Sequence, residues 1–161
     1  MTALTEYFRA EKAIGIAIIP VGLAMLALAG HILRNHAGAF MWASAVPLLL
    51  AGLGAVGGGI GLTVRTQAQV PALEARYAQD PRGMVAEEQV RMARVNANWP
   101  ILKGIWTGLV LLGLVLVMAV KREWAQGLGP SLLLLGALVM LIDVYAERRA
   151  LVYTAALESA R

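Results

Sequence analysis

Residues 100–120 read PILKGIWTGLVLLGLVLVMAV, an apolar run whose one charged residue, Lys103, lies near its start. About 20 such residues in an α-helix span the ~30 Å hydrocarbon core of a bilayer, so this stretch reads as a membrane span. Working outward, Ala13–Leu33, Phe40–Val64 and Gln126–Ala146 have the same character, and Asp143 is the one acid inside any of them. The fold expected is an all-α, four-helix transmembrane bundle made of two helical hairpins, in a single membrane domain over residues 1–161. Its solvent is the lipid bilayer.

Composition narrows the possible functions. The chain is 59% hydrophobic and 15% charged, which leaves no stretch polar enough for a separate soluble domain. It has no cysteine, so disulfides, thiolate metal sites and covalent c-type haem attachment are excluded. The net charge of +4 comes from dispersed Lys and Arg, with no run longer than two, and calls for no nucleic acid. Ala27-Leu28-Ala29 has the small-x-small form of a leader cleavage site. The residues before the first run mix Glu6, Arg9, Glu11 and Lys12, and the run exceeds a leader's apolar core, so a retained span is expected.

Counting cations sets the expected orientation. Arg9, Lys12, Arg65, Arg76, Arg82, Arg91, Arg94, Lys103, Arg148, Arg149 and Arg161 fall on one side, and only Arg34, Lys121 and Arg122 on the other. The positive-inside bias puts both termini and the central loop in the cytoplasm. Aromatic residues flank both ends of the spans, as interfacial anchors do.

The outer connections, about Arg34–Ala39 and Lys121–Ala125, are short, so spans one and two pair, as do three and four. The halves are faintly alike: Lys12-x-Ile14 with Gly22-Leu23 matches Lys103-x-Ile105 with Gly113-Leu114, and Ala72-Leu73-Glu74 matches Ala156-Leu157-Glu158. Such a duplication would be parallel. Between the hairpins, residues 65–98 read as a cytoplasmic helical segment. Thr66, Val70, Leu73 and Tyr77 share a face, with a kink expected at Pro71, and Asp80-Pro81-Arg82-Gly83 reads as a turn. Met84–Asn98 then runs into span three, with Val85, Met92 and Trp99 on one side. Glu87, Arg91, Arg94 and Asn98 lie on another, with Glu87–Arg91 an i,i+4 pair, and Glu87, Arg91 and Arg94 form the candidate cytoplasmic interaction surface. The tail from Tyr145 extends the last helix, with Val152 and Ala156 on one face.

Candidate sites are few. Gly54/Gly58, Gly57/Gly61 and Gly104/Gly108 are small-xxx-small pairs of the kind that let helices approach closely. They fit packing within the monomer, a homo-oligomer interface, or a flexible part of a transport pathway. Lys103 and Asp143 fall at similar depth near the cytoplasmic edge and form a candidate intramembrane ion pair; Arg65 and Lys12 are alternative partners for the acid. A coupling carboxylate is the functional alternative for Asp143. His31 and His36 stand five apart around the outer loop, a poor spacing for one metal face. No catalytic, cofactor-binding or metal-binding signature is present, and no cofactor is implied.

Four clusters resemble a family of small uncharacterised bacterial four-span integral membrane proteins. They are Leu4-Thr5-x-Tyr7-Phe8-x-x-Glu11-Lys12, Arg65-Thr66-x-x-Gln69-Val70, Glu88-x-x-Arg91-Met92-x-x-Val95 and Asp143-x-x-Ala146-Glu147-x-Arg149-x-x-x-Tyr153. The resemblance implies a four-helix fold and a bacterial inner membrane, and no activity. Arg91-x-x-Arg94-x-Asn96 is also similar to the basic segment of membrane-bound glutathione and eicosanoid enzymes, where it lies between the first and second spans rather than the second and third. Three readings follow. The first is a non-catalytic protein acting by contact with an unidentified protein partner, as an accessory subunit or toxin-immunity protein. The second is a small oligomeric channel or a cation- or proton-coupled transporter. The third is a glutathione-transferase-like enzyme.

Overall fold

A computed structural model describes residues 2–35 and 38–159. His36, Ala37, Ala160 and Arg161, on which parts of the sequence reading fall, lie outside them. Four long α-helices make up the fold: α1 (Thr2–Asn35), α2 (Ala39–Gln79), α3 (Pro81–Ala119) and α4 (Glu123–Glu158). All four are long and apolar enough to cross a membrane, and each also runs on beyond its apolar stretch. This is a multi-pass membrane protein built as an all-α bundle.

α1 packs along α2, and α3 along α4, as the short outer connections require. α2 and α4 form the middle seam, and the backbones of α1 and α3 do not come together, so the order across the molecule is α1–α2–α4–α3. The hairpin seams rest on glycine. A methyl group added to Gly59 would sit 2.6 Å from the Gly15 carbonyl oxygen, and one on Gly22 would sit 2.9 Å from the Gly52 carbonyl oxygen. Gly113 and Gly129 approach each other in the same way between α3 and α4. Such close approach gives helices dispersion contact where lipid offers no hydrophobic drive to associate. Gly22 and Gly113, matched between the two halves in sequence, occupy like places in the two seams.

Within the monomer the close contacts fall on glycines other than the candidate packing ones. Gly54, Gly57, Gly58, Gly61, Gly104 and Gly108 all face open space, so they do not pack within the monomer. At ~100° per residue, Gly52 and Gly59 turn toward α1 while Gly54, Gly57 and Gly61 turn away.

The central segment is helical almost throughout. α2 continues through Pro71 without a break, and only Asp80 separates it from α3. Asp80 caps α3, its side chain accepting from the Gly83 amide at 2.9 Å, and Pro81 takes the first helical turn, where its missing N–H costs nothing. The four extensions meet in a cap with its own core of Phe8, Met84, Met92, Ala150, Tyr153 and Leu157. Val70, Leu73, Tyr77 and Trp99 pack against it, on the faces their spacing predicts. In the tail the buried face is one residue round from the expected one: Tyr153 and Leu157 are buried, while Val152 is 72% exposed.

Candidate functional site

At the centre of the cap lies a carboxylate that the sequence reading passed over. Glu88 is 3% exposed. Its Oε2 accepts from Arg91 Nε at 2.8 Å, and its Oε1 accepts from the Arg91 terminal NH2 at 2.6 Å and from the Tyr153 hydroxyl at 3.1 Å. The two-pronged Arg91 contact is the planar fork that suits guanidinium to carboxylate. Both oxygens thereby accept hydrogen bonds, which offsets the cost of burying the carboxylate.

Aromatic rings close over the group. The Tyr7 ring stacks on Tyr153 with centroids 4.6 Å apart and 11° between planes, and the Arg91 guanidinium lies 5.6 Å above the Phe8 ring. Cation–π attraction and the ion pair thus hold one guanidinium from two sides. Burial pushes the Tyr153 hydroxyl above the usual tyrosine range, and the charge of Glu88 pushes the same way. Burial likewise raises Tyr7, helped by the Glu11 carboxylate. Burial works against the Arg91 charge, but the hydrogen bonding and charge of Glu88, with the two tyrosines, together outweigh it and the net shift is upward. Tyr7, Phe8, Glu88, Arg91, Met92 and Tyr153 come from three separate sequence clusters and meet here.

Between α2 and α3 beside this group is a cavity of about 390 Å³, lined in part by Gln69, Arg76, Met84, Glu87 and Glu88. Arg76 and Glu87, both well exposed, form an ion pair across the two helices. The Glu87–Arg91 pairing expected from spacing is therefore replaced: Glu87 goes to Arg76, and Arg91 turns inward to Glu88 three residues before it. Arg94 is exposed, so of the three candidate surface residues Glu87 and Arg94 face outward and Arg91 is half-buried. On the α1–α2 side Arg65 pairs with Glu11 at 2.7 Å, while Thr66 Oγ and Gln69 Oε1 are buried without a partner among the described residues.

The expected Lys103–Asp143 pair is not formed. Lys103 Nζ donates to Glu147 at 2.9 and 3.1 Å, and Asp143 accepts from the Trp106 indole N–H at 2.6 Å. Glu147 lies four residues beyond Asp143, one helical turn nearer the cap, which lets the Lys103 side chain reach toward water rather than deeper into the apolar zone. Arg65, an alternative partner for Asp143, is taken by Glu11 instead. His31 shares a hydrogen bond with Asn35. Comparison with family models, with curated proteins and with solved structures returns no match.

Proposed function

We propose that this chain is a non-catalytic multi-pass protein of a bacterial inner membrane, with both termini and the cap in the cytoplasm, acting by contact between the cap and another protein. An accessory subunit or a toxin-immunity protein fits this reading. The observation that carries it is the cap itself: a folded element outside the apolar zone, with its own aromatic core, organised around a carboxylate whose oxygens are all engaged. Support over a coupled transporter comes from the spans, which carry no Asp, Glu, Lys or Arg between the Lys103–Asp143 level and the outer ends. Coupling carboxylates work from within that zone, and Asp143 sits at its edge held by Trp106.

The exposed charges Arg76, Glu87 and Arg94 are the surface through which contact is made. The test is affinity isolation of the intact chain from its native membrane, compared with Glu87→Lys and Arg94→Glu. A stoichiometric partner lost in both variants, at unchanged melting temperature, is expected. No stoichiometric partner, or one indifferent to these changes and lost instead with Lys121→Ala and Arg122→Ala, overturns the reading.

A further inference from the structure

The outer face of α3 keeps one character along its whole length, although its surroundings change from water to lipid. Ala86, Val90, Ala93 and Ala97 are exposed on the cap, and Ile101, Gly104, Gly108, Leu111 and Val115 continue the same line through the apolar zone, all exposed. The steps are of three or four residues throughout, the repeat of a helix seam that packs on another helix. Lipid accounts for the inner part of the line but not for the part in water. α1 makes the contrast: its outer line of Pro20, Ile16 and Ala13 becomes Arg9 and Glu6 as it leaves the apolar zone. On α4 the corresponding line is broken by exposed Arg148. α3 also stands at the edge of the row, with α4 as its main neighbour. α2 carries an uncharged line too, through Gly57, Gly61, Ala68 and Ala75, but α1 and α4 already flank it.

We propose that the outer face of α3 is a homodimer interface, occupied by α3 of a second copy related by a two-fold axis along the membrane normal. Two copies inserted with the same orientation bring their α3 helices together in parallel, so each seam residue meets its own counterpart. The flanking positions then pair with an offset of five residues. Arg82 of one copy falls beside the Arg76–Glu87 ion pair of the other, and Gln89, which donates to the Leu157 carbonyl in its own copy, falls beside Arg94, so no unpaired like charges are opposed. A strip roughly 10 Å wide and about 45 Å long gives roughly 900 Å² over both copies, close to the ~1,000 Å² at which specific interfaces begin. Gly104 and Gly108, idle in the monomer, supply the close approach at its centre.

The absence of native cysteine makes the test direct. Single cysteines at Val90, Ala93 and Ala97 are oxidised in native membranes and read as disulfide dimers on non-reducing gels. Dimer yields several-fold above those of cysteine at Val152, exposed on α4, are expected. Gly108→Leu points into open space in the monomer, so it should leave protein level unchanged while lowering cross-linking at Ala97 several-fold. Yields no greater than at Val152, or yields concentrated at Ala68 and Ala75 of α2, overturn the proposal, as does cross-linking indifferent to Gly108→Leu.

Discussion

The Tyr153 hydroxyl donates to the buried Glu88 carboxylate across 3.1 Å, tying the last helix to the third at the centre of the cap. A hydrogen bond to a charged acceptor contributes about 1.5–3 kcal/mol, so Tyr153→Phe should destabilise the cap by that order in denaturant melts. Glu88→Ala should cost up to about 3 kcal/mol, because it strips Arg91 of its counter-charge. Arg91 remains 27% exposed, and that access to water limits the loss. Unchanged melts for both variants would mean the group is not formed in the membrane.

The raised tyrosines set an alkaline limit. Below pH 10.0, the ordinary tyrosine value, folded and unfolded chains both keep the Tyr153 phenol protonated, and stability does not depend on it. Above that value the unfolded chain releases the proton while the folded cap retains it, so stability falls as pH rises. Tyr7 adds to the same trend. Tyrosinate absorbance should therefore appear together with unfolding of the cap, and Tyr153→Phe should flatten the dependence.

Adjacent glycines should respond oppositely to enlargement. Gly59→Val drives a side chain into the Gly15 carbonyl and should cost about 1–3 kcal/mol as the α1–α2 seam is forced apart. Gly58→Val meets nothing within 4 Å and should leave the monomer's thermal melt nearly unchanged.

Double-mutant cycles should separate Asp143 from Glu147. Lys103 and Glu147 should couple by about 0.5–1 kcal/mol, modest because the lysine side chain is 41% exposed. Lys103 and Asp143 should show coupling near zero, and Trp106→Phe should interact with Asp143→Ala instead.

Thr66 offers a stabilising change. It is 2% exposed with a hydroxyl unpartnered among the described residues, so Thr66→Val keeps the shape and removes an unsatisfied group. A gain of about 1 kcal/mol in the unfolding free energy is expected.

Much of this architecture is legible in apolar run length and helical spacing. The spans, the hairpin pairing and the cap-facing residues Val70, Leu73, Met92 and Trp99 all follow from periodicity. What periodicity hides is which of several equivalent partners a side chain takes. Arg91 has acids three and four residues before it, and only burial of Glu88 behind Tyr153 decides between them. Likewise Lys103 could reach Asp143 or Glu147, and its preference for Glu147 depends on how high the lysine rides relative to the apolar zone. The glycines teach the same lesson: composition marks α2 as able to pack closely, but the rotation of the helix picks Gly52 and Gly59 over their neighbours. Glu88 and Tyr153 lie 65 residues apart, and no local pattern links them.

The cap core draws Phe8 from the start of the chain and Leu157 from its end. One belongs to α1 and the other to α4, so the cap core closes only after all four helices have been made. The glycine seam of α1 and α2 lies wholly within the first hairpin, so it needs nothing from the second in order to close. Cap formation then acts as a completion check: it succeeds only when both hairpins have inserted the same way round, and a chain halted before Tyr153 leaves Phe8 without its cover.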